Sequence, residues 1–85
     1  MVSHSELTAR HHAMLAAVAQ GRARITLGRC PALTVDGRWC DQQATRTLVE
    51  LDLVRPAGIG AVGALVPARL TEAGRLLVDA RRAAA

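Results

Sequence analysis

Lysine, tyrosine and phenylalanine are missing from this 85-residue chain, and Trp39 is its one aromatic residue. Without a set of exposed rings there is no platform on which a run of unpaired bases would stack, which argues against RNA or single strands as the main partner. The longest uncharged run, residues 56–68, falls short of the ~18 residues that span a bilayer. The first residues also lack the basic-then-apolar order of a secretion signal. The expectation is a cytoplasmic protein with no membrane role. Cysteine is scarce: Cys30 and Cys40 allow at most one disulfide, and an intracellular setting makes reduced thiols the default. Their separation, together with His4, His11 and His12, matches no short paired spacing of a zinc site, so no metal is expected. For Cys40, a small buried residue beside Trp39 outweighs a redox-sensing thiol activated at a helix N-terminus.

Paired acids are missing too. Glu6, Asp36, Asp41, Glu50, Asp52, Glu72 and Asp79 are scattered. The Gly58-Ile59-Gly60 segment precedes a strand, whereas a phosphate-cradling loop precedes a helix. No triad is apparent and little chain is left to enclose a pocket, so neither an enzyme nor a cofactor is expected. What the chain has in excess is arginine. All eleven basic residues are Arg, giving a net charge of +4 and a pI near 11.0, a balance that favours a polyanionic partner. A chain of this length forms one domain, residues 1–85 with 1–6 and 82–85 frayed. Such a domain buries only about 60% of its unfolded surface, which makes a homodimer attractive.

Hydrophobic periodicity gives the elements. Thr8 caps a helix over residues 9–20 whose apolar face is Met14, Leu15, Val18 and Ala19, and Gly21 stops it. Arg10, His11 and His12 in its first turns oppose the helix dipole and suggest that this end faces an anion. From Arg22 the period becomes two: Ala23, Ile25 and Leu27 alternate with Arg22, Arg24 and Thr26, predicting a half-buried strand with arginines outward. Residues 28–32 form a loop. Leu33-Thr34-Val35 and Arg38-Trp39-Cys40 then flank Asp36-Gly37, a pair that favours a tight hairpin. Asp41 caps a helix over residues 42–51, in which Ala44, Leu48 and Leu51 face inward and Gln42, Gln43, Arg46 and Glu50 outward. Leu53-Val54-Arg55 and residues 65–70 make a second hairpin, with Pro56 at an edge and Gly58, Gly60 and Gly63 marking a flexible tip. Thr71 caps a last helix with an apolar face of Leu76, Leu77 and Ala80.

Two segments sharpen this outline. Thr45-Arg46-Thr47-Leu48-Val49-Glu50-Leu51-Asp52-Leu53-Val54 resembles a winged-helix recognition helix running into the first wing strand. Arg69-Leu70-Thr71-Glu72-Ala73-Gly74-Arg75 resembles the Leu-Thr-x-x-Gly-Arg that often follows the wing in winged-helix transcriptional regulators. The resemblance implies an α+β fold, a small winged-helix domain of about three helices with a β-hairpin wing and an extra extended segment before the recognition helix. It implies a nucleoid-associated regulator of transcription that places residues 42–51 in the major groove of double-stranded DNA. Gln42, Gln43 and Arg46 then read bases, since Gln pairs with adenine and Arg with guanine. Thr45 and Thr47 bond phosphate or, equally, their own helix backbone. Arg55 and Arg69 touch phosphates at the wing base, and Arg24 adds a charge suited to phosphate on its strand. The chain departs from the pattern in three places: Asp52 replaces the usual Gly, a hairpin occupies the place of the positioning helix, and the wing tip is uncharged. That apolar tip motivates a second reading, a protein-interaction module docking through residues 59–66.

Overall fold

Three helices and five antiparallel strands alternate along residues 7–84, the part of the chain that the computed structural model describes. Helix α1 (Ala9–Ala19) begins at Thr8, whose backbone N–H donates to His11 Nδ1 at 2.9 Å. This contact satisfies an orphan donor at the helix start, so the His11 side chain braces the first turn of α1. Gly21, at φ +75°, closes α1, and Arg22 N–H donates to the Ala17 carbonyl at 3.0 Å. The inward face is Met14, Leu15, Ala17 and Val18; Ala19, expected inward, is exposed because the helix turns that position toward solvent.

Strand β1 (Ala23–Thr26) buries Ala23 and Ile25 and leaves Arg24 in water, as its alternation predicts. Strands β2 (Leu33–Val35) and β3 (Arg38–Trp39) close around Asp36 and Gly37, both at positive φ (53° and 80°), the geometry of a two-residue hairpin turn. Helix α2 (Gln42–Glu50) starts at Asp41, whose carboxylate accepts from Ala44 N–H at 2.8 Å. It ends where Asp52 turns left-handed at φ 56° and Leu53 N–H donates back to the Leu48 carbonyl. Strands β4 (Val54–Pro56) and β5 (Leu65–Leu70) follow, and α3 (Glu72–Ala84) ends the described chain. It runs past residue 81, so residues 82–84 are helical where fraying was expected. The reading of residues 1–6 as frayed, and His4 with them, falls outside the described residues.

One sheet results, in the order β3-β2-β1-β5-β4. The helices cover its inner face, and Leu15, Ile25, Leu33, Leu48 and Leu53 meet there with at most 1% of their surface exposed. Helix α3 contributes Val78 and Gly74, with Leu77 half buried, while Leu76 and Ala80 point to solvent. The expected Leu76, Leu77, Ala80 stripe is therefore rotated. Its rotation is fixed by Gly74, whose lack of a Cβ lets α3 rest on the Leu53 carbonyl.

The Leu-Thr-x-x-Gly-Arg segment holds this junction together. Thr71 N–H donates to Leu53 O at 3.0 Å, and Thr71 Oγ1 donates to the Asp52 carbonyl while accepting from Gly74 N–H. One threonine thus caps α3 and ties it to the turn leaving α2. The tip of the second hairpin is also anchored. Gly63 N–H donates to the Leu27 carbonyl at 2.8 Å, and Leu27 N–H to that of Ala64 at 3.0 Å. The hairpin leans on the end of β1 where a free tip was expected.

Candidate nucleic-acid interface

Helix α2 owes its orientation to its inner side. Ala44, Thr45 and Leu48 are buried, and Thr45, Leu48 and Val49 lie against Ile25, Leu33 and Val54 of the sheet. Burial of that stripe turns Gln42, Gln43, Arg46 and Glu50 outward, and all four are exposed. Thr45 is thereby removed from the expected contacts. It is 1% exposed and its hydroxyl donates to the Asp41 carbonyl at 3.0 Å, so it cannot reach a phosphate. Thr47 is half buried and its hydroxyl is bonded to the Gln43 carbonyl at 3.1 Å, the backbone alternative for this residue.

Gln42 is held as well. Its Nε2 donates to the Pro31 carbonyl at 2.9 Å, pinning the first turn of α2 to the β1–β2 loop. That bond takes one of the two Nε2 protons and fixes where the amide points, whereas the side chains of Gln43 and Arg46 make no hydrogen bond among the described residues. The loop brings a residue that the sequence did not suggest: Arg29 shares a shallow cleft with Cys30, Gln42, Arg46 and Glu50. Nothing in its local pattern separates Arg29 from an ordinary loop arginine. The hydrogen bond between Gln42 and Pro31 holds its loop beside α2.

Around this face the charges are unevenly engaged. Among the described residues, carboxylates lie within 4 Å of Arg10 (Asp41, 3.7 Å), Arg22 (Asp36, 3.6 Å) and Arg55 (Asp52, 2.8 Å). Arg29 and Arg46 make no such pair. Arg55 borders the C-terminal end of α2 in a cleft with Val49 and Asp52. Its guanidinium donates from Nε and Nη2 to both Asp52 oxygens, at 2.8 and 3.0 Å. This two-point bond raises the Arg55 pKa further, chiefly by the hydrogen bonds and then by the charge of Asp52. Arg69 is exposed and opposite Arg55 in the β4–β5 ladder. Arg24 is elsewhere: Ile25 points toward α2, so its neighbour Arg24 points to the other side of the sheet. It does not join the α2 cluster.

Cys30 is exposed and Cys40 half buried, both as free thiols. Burial pushes the Cys40 thiol pKa up, opposite to what a redox sensor requires. Among the described residues no three His, Cys, Asp or Glu side chains gather where a metal ion could sit. No helix among them is long and apolar enough to cross a membrane. Comparison with protein families, with characterised proteins and with solved structures finds no match to this chain.

Proposed function

We propose that this chain is a sequence-reading duplex DNA-binding protein of winged-helix type, a transcriptional regulator that lays α2 in the major groove. The observation that carries this reading is the outer face of α2, where Gln43 and Arg46 are exposed beside Arg29 and, among the described residues, neither arginine has a carboxylate within 4 Å. Paired donors of this kind recognise base edges, and a cation at the border suits the phosphate backbone. The arrangement around α2 supports it. The β4–β5 hairpin follows α2 as a wing would, and the β2–β3 hairpin stands in place of a positioning helix. The β1–β2 loop braces the first turn of α2 through Pro31. In this reading Gln43 and Arg46 read bases, Gln42 sets the register of the helix, and Arg29, Arg55 and Arg69 meet phosphates. Symmetric binding as a homodimer would double these contacts.

Selection from a pool of random duplexes at moderate salt tests the proposal. An enriched motif, above all a two-fold repeat with half-sites about ten base pairs apart, supports it. Binding without enrichment that vanishes as salt rises would leave only attraction of arginine to phosphate. Arg46→Ala is expected to lower affinity and relax preference at one base position, by about 1–3 kcal/mol, whereas Arg29→Ala weakens all duplexes alike.

A second reading has its own observation. Ile59 and Val62 at the hairpin tip are 98% and 88% exposed, and paired apolar exposures of this kind suit a protein partner docking through residues 59–66.

A further inference from the structure

The face of the sheet turned away from α2 carries a second cationic surface. Register places Arg24 of β1 opposite Thr34 of β2 and Pro67 of β5, and Thr34 opposite Trp39 of β3. A single row, Trp39, Thr34, Arg24 and Pro67, therefore crosses four strands. Arg22, Arg24, Thr34, Trp39 and Leu65 line one shallow groove of 340 Å³ on this face. Trp39 sits on an edge strand two residues long and keeps 65% of its surface exposed, so the core gains little from it. A large ring left in water beside two arginines calls for a ligand with a flat apolar face and negative charge.

The charges narrow the choice. Arg24 has no carboxylate within 4 Å among the described residues, and Arg22 has one, Asp36. A second copy of this face would bring arginines against arginines, which opposes self-association here. An intact duplex hides the faces of its bases in the stack, whereas an unpaired nucleotide offers its ring to a tryptophan and its phosphate to an arginine.

We propose that this outer sheet face is a second nucleic-acid site, which takes one unpaired base on Trp39 with the neighbouring phosphate on Arg24 and Arg22. One ring holds one base, so the site supplements a contact made elsewhere and does not track a long strand.

Trp39 is the only tryptophan and the chain has no tyrosine, so its fluorescence reports on this site alone. The full chain is titrated with a single-stranded oligothymidylate of about eight nucleotides and with a blunt duplex of equal length. Expected is saturable quenching by the single strand, weakened about fivefold or more by Arg24→Ala and by Arg24→Gln, and unchanged by Arg46→Ala. Arg24 is exposed, so neither substitution touches the core. No saturable quenching, equal quenching by the duplex, or quenching that survives both Arg24 variants would overturn the proposal. Arg46 takes no part in this assay, so its failure leaves the α2 reading intact, and failure of the duplex selection leaves this one intact.

Discussion

At the scale of single residues, hydrogen bonds already made within the chain limit what a side chain can offer a ligand. Asp52 is the clearest case. Its left-handed backbone ends α2, and its carboxylate grips Arg55 at two points. Arg55 keeps its remaining N–H donors for a phosphate, but Asp52 already neutralises its charge, so Asp52 acts as an internal competitor for the DNA backbone. Asn tolerates the same φ and lacks the charge. Asp52→Asn is therefore expected to raise duplex affinity several-fold and to steepen the slope of log K against log salt by about one unit, measured by anisotropy across a salt series. A fall in affinity would mean instead that Asp52 positions Arg55 for DNA. His12 offers a pH-dependent counterpart. Burial, then Arg81 and then His11, lower its pKa from 6.5. The unfolded chain then binds the proton more readily than the folded one, so the contribution of His12 is fully present above 6.5 and fades as pH falls through 6.5 toward the lowered value. Thermal melts across that range should show a drop in Tm on acidification that His12→Gln reduces.

At the scale of elements, the junction between α2, β4 and α3 is the place where a small change should cost most. A methyl at Gly74 would run into the Leu53 carbonyl, which itself accepts from Thr71 N–H. Gly74→Ala is expected to destabilise by about 1–3 kcal/mol in denaturant unfolding, because α3 and the turn that leads into β4 must separate to admit it. Gly58→Ala serves as the control. Its Cβ would meet Val66 at an ordinary 3.8 Å, so the change should stay within about 0.5 kcal/mol. Most element types were legible beforehand because their signals are local. Asp36-Gly37 specifies its turn through positive φ at both positions, and Gly21 stops α1 for the same kind of reason. The face that each helix buries was less legible. The alternation of β1 holds, yet α3 turns Leu76 outward and Gly74 inward, since contact with a carbonyl of another element outranks hydrophobicity there.

At the scale of the whole molecule, a chain this short leaves apolar surface uncovered, and the two readings of function differ in what covers it. Ile59→Asp at the hairpin tip separates them. If residues 59–66 dock a protein or a second copy, sedimentation should show loss of the assembly; under the DNA reading, contact of the monomer with duplex should persist. The sequence by itself determined the order of elements, the caps at Asp41 and Thr71, the hairpin turn and the outward placement of Gln43 and Arg46, because each follows from neighbours within a few residues. Tertiary structure decided which polar groups stay available. Thr45 is sealed on the inner side of α2, Gln42 is held by Pro31, Arg24 is carried to the far face beside Trp39, and Arg29 is brought to α2. Each of these depends on a contact between segments distant in sequence, which a local pattern of residues does not encode.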